Sequence, residues 1–105
     1  MFFANSPDLA GEIRYGVEIT EPTPSVVLVD FESVTEVDAT ALITIRELNE
    51  ELEKAGVDLR LARVRTQVLD LFRTTDLEDL IGPDYIYDSV DVGVDAFLAE
   101  REGSE

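Results

Sequence analysis

With 105 residues, the chain is long enough for one domain with its own hydrophobic core. It carries 24 acidic and 8 basic residues, and the net charge of −16 argues against nucleic acid and anionic lipid as direct partners, since both are polyanions. It contains neither cysteine nor histidine, which excludes disulfides, thiolate metal sites and the most common general base. No apolar run approaches the ~18 residues of a transmembrane helix, so we expect no direct membrane insertion and a cytoplasmic chain.

The N-terminal segment predicts a strand followed by a helix. Residues 2–4 are apolar, and Ser6 with Pro7 is a typical helix start, with the serine as N-cap and the proline at the first helical position. A strand at the very start would lack the neighbour that normally protects its edge. We therefore expect a single domain, residues 1–105, from which an upstream strand is missing, and a disordered tail at residues 103–105.

The central part of the chain predicts a buried strand, a loop and a long helix. Residues 26–31 form a nearly unbroken apolar run, typical of a strand buried on both faces. A helix is predicted over residues 39–55, ended by Gly56 in the left-handed conformation. Its apolar stripe comprises Ala41, Ile45, Leu48, Leu52 and Ala55. Because α/β sheets bind ligands beyond the carboxyl ends of strands, the loop at residues 32–41 is the first place to expect a site.

The remaining elements continue the alternation of strands and helices. Val57, Leu59 and Leu61 alternate with Asp58 and Arg60, the period of a half-exposed strand. Further elements are predicted at residues 68–72 (helix), 77–81 (helical turn), 85–87 (strand) and 90–98 (helix, capped by Asp88 or Ser89 and ended by Gly103). This order predicts an α/β fold with a mainly parallel central sheet and helical crossovers.

Asp38 and Thr40 are the first candidate site residues, because they begin the long helix. As an N-cap, the Asp38 carboxylate would accept hydrogen bonds from the backbone N–H groups of Thr40 and Ala41. Alternatively, this helix N-terminus contacts a phosphate or a partner protein. The Thr40 hydroxyl has the same two interpretations, one structural and one functional.

Asp30 and Glu32 lie at the end of the buried strand, where carboxylates hold Mg²⁺ in receiver domains. Receiver domains also need a lysine late in the chain. The only lysine is Lys54, on the exposed face of the long helix. We therefore disfavour this interpretation and assign no metal site.

Half of the basic residues fall in one stretch: Arg60, Arg63, Arg65 and Arg73. This stretch either accepts an anion or acidic partner, or forms salt bridges with neighbouring carboxylates, which we favour. Tyr85 and Tyr87 are expected to pack against the sheet and the last helix. The chain has no glycine-rich phosphate loop.

Residues 26–42, VVLVDFESVTEVDATAL, resemble the central segment of STAS domains, in which a buried strand leads through an Asp-x-Ser/Thr loop into a long helix. Residues 50–64 are similar to the helix–glycine–strand step of that family, and residues 68–81 to the region that follows. The resemblance covers nearly the whole chain and implies the STAS fold.

Two branches of this family are relevant. Stand-alone anti-sigma factor antagonists carry a phosphorylatable serine directly after the loop aspartate, usually followed by Ser/Thr and Gly. The matching positions here are Ala39, Thr40 and Ala41, so the acceptor serine and the glycine are both absent. Residues 2–5, FFAN, resemble a passage of the other branch, the cytoplasmic C-terminal STAS domain of SulP anion transporters.

The SulP resemblance implies a non-catalytic regulatory domain of a secondary transporter of sulfate, bicarbonate or dicarboxylate. Its partners would be the membrane domain of the same transporter and the dimer mate. The resemblance also implies contact with acyl carrier protein, or with a guanine or adenine nucleotide, at the loop formed by Asp38, Ala39, Thr40 and Ala41. The alternatives are an antagonist that binds an anti-sigma kinase and, third, an enzyme using paired carboxylates.

Overall fold

The computed structural model describes residues 2–4 and 9–103, which alternate between strands and helices. The elements are β1 (Phe2–Ala4), α1 (Leu9–Ile19), β2 (Val26–Asp30), α2 (Ala39–Lys54), β3 (Asp58–Ala62), α3 (Thr66–Thr74), α4 (Leu77–Ile81), β4 (Ile86–Tyr87) and α5 (Val90–Gly103). A 3₁₀ turn, Pro83–Tyr85, precedes β4. The predicted alternation is confirmed.

The four described strands form one sheet in the order β1-β2-β3-β4, and every neighbouring pair is parallel. At its centre, Val27 lies opposite Leu59 and Val29 opposite Leu61. Each parallel pair is joined through at least one helix, as parallel strands require. The predicted α/β fold with a parallel sheet is confirmed.

The sheet is covered on both faces. All five residues of β2 are buried, as the apolar run predicted. The hydrophobic core on one face of the sheet includes Val27, Val29, Leu59 and Leu61 of the sheet and Leu48 and Leu52 of α2. The alternate residues of the central strands, such as Leu28 and Arg60, lie on the other face, against which α5 packs.

The prediction of a half-exposed β3 was wrong for Arg60, which is only 2% exposed. Asp58 is exposed as expected. The difference arises because α5 covers the face on which Arg60 lies. A charged residue within an alternating pattern is usually solvent-exposed, so the pattern alone favoured the wrong environment for this side chain.

The ends of the helices agree with most of the sequence signals. Gly56 has a φ of 76°, the predicted left-handed conformation, and α2 ends one residue earlier than predicted. Ser89 caps α5, because its hydroxyl oxygen accepts a 3.1 Å hydrogen bond from the Val92 N–H group. Leu98, predicted on the apolar face of α5, is 49% exposed.

Some predictions fall outside the described residues. These are the helix start at Ser6 and Pro7 and the end of the tail at residues 104–105. β1 lies at one edge of the sheet, and an upstream strand beside it stays a prediction. Within residues 2–4 and 9–103, no helix combines the length and apolar character that crossing a membrane requires.

Candidate functional site

The loop between β2 and α2 leaves the sheet at the carboxyl end of its central strands. The Phe31 N–H group donates to the Ala62 carbonyl at 2.8 Å, which extends the pairing of β2 with β3 by one residue. The Val34 N–H group then donates to the Phe31 carbonyl at 3.0 Å and closes a turn. The chain thus reverses direction above the sheet edge and presents the start of α2 at this end of the domain.

Asp38 is the N-cap of α2. Its Oδ1 atom accepts a 2.7 Å hydrogen bond from the Ala41 N–H group, and its backbone is extended, as a cap residue requires. Its carbonyl accepts the first helical hydrogen bond, from Leu42 at 3.0 Å. The structural interpretation of Asp38 therefore holds, and of the two predicted donors the Ala41 N–H group makes the bond.

The four predicted site residues lie together at this end of α2. Asp38, Ala39 and Thr40 are exposed, while Ala41 is half-buried. The Thr40 carbonyl accepts a 3.1 Å hydrogen bond from the Thr44 hydroxyl. A partner surface can therefore reach three of the four residues without any rearrangement of the helix.

Asp30 and Glu32 are tied to Arg63, which follows β3. Asp30 is 6% exposed, and its carboxylate accepts hydrogen bonds from Arg63 Nε at 3.0 Å and from Arg63 Nη2. Arg63 Nη1 lies 2.8 Å from Glu32 Oε2. Arg63 adopts this position with a φ of 58°, in the left-handed region that residues other than glycine rarely use.

The contacts with Arg63 change the pKa of Asp30 at the end of β2. Hydrogen bonding from Arg63 lowers the pKa of Asp30, although burial alone would raise it. The carboxylate is therefore neutralised by a cation that belongs to the fold. No group of three or more potential metal ligands occurs among residues 2–4 and 9–103.

The other arginines mostly form the salt bridges that we favoured. Arg73 Nε lies 3.0 Å from Glu78 Oε2, and its Nη1 atom lies 3.7 Å from Asp70 Oδ1. Arg65 differs, because its Nε atom donates to the Glu32 carbonyl at 2.9 Å. Ion pairing is thus confirmed for Arg63 and Arg73, whereas Arg65 fixes the backbone of the β2–α2 loop.

Arg60 also forms the favoured ion pair, but the sequence predicted neither its burial nor its partner. Its Nη1 and Nη2 atoms each lie 2.7 Å from a carboxylate oxygen of Glu100 on α5. The Tyr85 ring stacks over the guanidinium with its centroid 4.5 Å from Cζ. The expected packing of Tyr87 against the last helix is confirmed, since a Cβ added at Gly93 of α5 would come within 3.0 Å of the Tyr87 ring. Because Glu100 is distant in sequence, no local signal could have indicated this pair.

Comparison with known proteins identifies the family of this chain. The STAS domain family model matches residues 1–93. A probable sulfate transporter of Mycobacterium tuberculosis is 33% identical over 98 residues, which is 90% of this chain and 17% of that protein. Low affinity sulfate transporter 3 of Stylosanthes hamata is 28% identical over 75 residues, which is 71% of this chain and 12% of that protein. The chain thus spans less than a fifth of the length of these relatives.

Solved structures show the same fold. The STAS domain of a SulP transporter from Vibrio cholerae matches with a TM-score of 0.84 and 18% identity, covering 97% of this chain and 83% of that one. A sulfate transporter family protein from Wolinella succinogenes matches with a TM-score of 0.76 and 21% identity, covering 88% and 80%. The resemblance and the fold predicted from the sequence are confirmed. This chain belongs to the STAS domain family and is homologous to part of the sulfate transporters described above.

Proposed function

We propose that this chain is a non-catalytic, cytoplasmic regulatory and protein-interaction domain of a SulP-type secondary anion transporter. The observation that carries the proposal is the alignment of 90% of the chain with 17% of a probable sulfate transporter. Nearly the whole chain aligns, but with only a small part of the relative. This is typical of a domain within a larger protein. The transported anion would be sulfate, bicarbonate or a dicarboxylate.

The negative net charge of the chain favours an interaction with the cytoplasmic side of a membrane domain. Cytoplasmic loops of membrane proteins carry an excess of lysine and arginine. A domain with a net charge of −16 is complementary to such loops and is repelled by anionic headgroups. The preferred partner is therefore the membrane domain of the same transporter, with the dimer mate as a second one.

The exposed end of α2 is the proposed contact surface. Asp38, Ala39 and Thr40 are exposed there, and Glu36 in the preceding loop is also exposed and acidic. Asp38 already bonds one of the first N–H groups of the helix, and its charge opposes the binding of a phosphate. We therefore infer that a basic protein surface, rather than a nucleotide, is the main ligand of this loop.

Binding in trans tests the proposal. The fluorescently labelled chain is titrated into nanodiscs that hold the transporter's membrane domain without its own copy of this domain. We expect saturable binding that weakens as NaCl is raised, because the contact pairs an acidic with a basic surface. Empty nanodiscs of the same lipid are the control. Failure to bind the membrane domain, or equal binding to the empty discs, would contradict the proposal.

A further inference from the structure

A cavity of about 400 Å³ lies beneath the β2–α2 loop. Apolar side chains of α1, the loop, the first half of α2 and one face of the sheet line it, among them Ile13, Val29, Val37, Ile45, Leu48 and Leu61. Val37 and Ile45 are half-buried and accessible, whereas Ile13, Val29, Leu48 and Leu61 are at most 4% exposed. Its opening lies beside the exposed start of α2.

The cavity is open to solvent on the side of Glu36, Asp38 and Thr40, which are exposed. Pockets that bind small molecules measure about 300–1,000 Å³ and have mostly apolar walls with a few polar groups. The cavity has the properties of a ligand pocket.

The polar residues at the opening of the cavity determine which charge the head group of a ligand can carry. Glu36, Asp38, Thr40 and Thr44 contribute the charged and hydroxyl-bearing side chains at its rim. None of the described lining residues is basic. A carboxylate or phosphate at this opening would face like charges without a counter-ion, which is unfavourable. A hydroxyl can hydrogen-bond to the rim, and an ammonium group can pair with it.

We propose that this cavity binds an amphiphile with a medium-length alkyl tail and an uncharged hydroxyl or cationic amine head group. The tail lies against Val34, Val37 and Ile45, which line the cavity and are half-buried, and the head group lies at the rim beside Glu36 and Asp38. This ligand site goes beyond the proposed transporter role and does not depend on which protein contacts the loop.

Calorimetric titration of residues 1–105 at physiological salt tests the site with three probes of equal tail length. These are n-octanol, n-octylamine and n-octanoate. We expect saturable binding of octanol and octylamine, and binding of octanoate at least tenfold weaker. Octanol carries no charge, so its binding separates the cavity from ion pairing on the acidic surface. Absence of octanol binding, or octanoate binding as tight as octanol, overturns the proposal.

Two alanines on α2 provide a matched pair of variants. Ala41 lines the cavity and is half-buried, whereas Ala39 is exposed and does not line it. We expect Ala41→Leu to weaken octanol binding at least tenfold and Ala39→Leu to leave it unchanged. If Ala41→Leu fails to fold, Val34→Phe fills the cavity from the loop side instead. Wild-type affinity in a folded cavity-filling variant overturns the site, while the transporter proposal is tested separately by binding to the membrane domain.

Discussion

Arg60 and Glu100 form a two-point ion pair that ties the last helix to the centre of the sheet. Both terminal nitrogens of the arginine lie 2.7 Å from the carboxylate, which lowers the pKa of Glu100. Arg60 is almost completely buried, whereas the Glu100 side chain is 51% exposed. Among the described residues of α5, Phe97 is the only buried hydrophobic side chain. The pair therefore adds a polar contact to the apolar contacts by which Phe97 and Gly93 hold α5 on the sheet.

The burial of only one partner predicts an asymmetric response to mutation. Glu100→Gln leaves a buried charge with weakened hydrogen bonds and should lower the free energy of unfolding by about 1.5–3 kcal/mol. Arg60→Met removes the buried charge and retains most of the volume, so its cost should be smaller. Glu102→Gln, on the same exposed end of α5, is the control. Urea denaturation measures the free energy of unfolding of all three variants. A larger loss for Arg60→Met than for Glu100→Gln would contradict the idea that an unpaired, buried guanidinium destabilises the fold.

The buried stripe of α2 predicts large losses at two positions. Leu48 and Leu52 belong to the main core, and replacing either with alanine should destabilise the fold by about 2–5 kcal/mol, since it leaves a cavity. Ile43, on the same helix, is 57% exposed, and Ile43→Ala should change the stability by less than about 0.5 kcal/mol. An unchanged denaturant midpoint in both leucine variants would mean that α2 faces the opposite way.

Asp30 predicts a specific dependence of stability on pH. Because Arg63 depresses its pKa in the folded state, the carboxylate stabilises the fold above the unfolded pKa of about 3.9, and this stabilisation is lost as the pH falls through the folded value. Asp30→Asn should therefore cost about 1–3 kcal/mol at pH 7, and the cost should shrink below about pH 4. Asp95→Asn on the exposed face of α5 is the control. A cost that is constant from pH 7 to pH 3 would rule out the Arg63 interaction as its source.

The loop predicts how the chain responds to an anti-sigma kinase. Ala39 occupies the position of the acceptor serine in phosphorylated antagonists and has no hydroxyl group. We expect no phosphate on the β2–α2 loop after incubation with such a kinase and ATP, as measured by mass spectrometry. An antagonist with its serine intact verifies that the kinase is active. Stoichiometric phosphate on Thr40 would instead favour the phosphorylated branch of the family.

The sequence was informative wherever a structure depends on neighbouring residues. The burial of β2 on both faces, the left-handed Gly56 and the N-cap at Asp38 all follow from local patterns, and the structure has them. The burial of Arg60 depends on Glu100 and on the packing of α5, which lies 30 or more residues further along the chain. The same holds for the cavity, whose walls come from several elements. The partner of the Asp38 loop depends on a second surface, which no pattern within this chain encodes.

Anion uptake by the complete transporter tests the central claim, that the exposed start of α2 regulates transport through a protein contact. The test variant combines Asp38→Asn, which preserves the cap, with Thr40→Arg, and it raises the net charge by two. Glu53→Lys, at an exposed position near the other end of α2, changes the net charge by the same amount and is the control. Uptake of radiolabelled sulfate is measured in cells and divided by the amount of transporter in the membrane. We predict at least a threefold change in normalised uptake for the loop variant and none for the control, whereas equal uptake by both variants and the wild type would contradict the account.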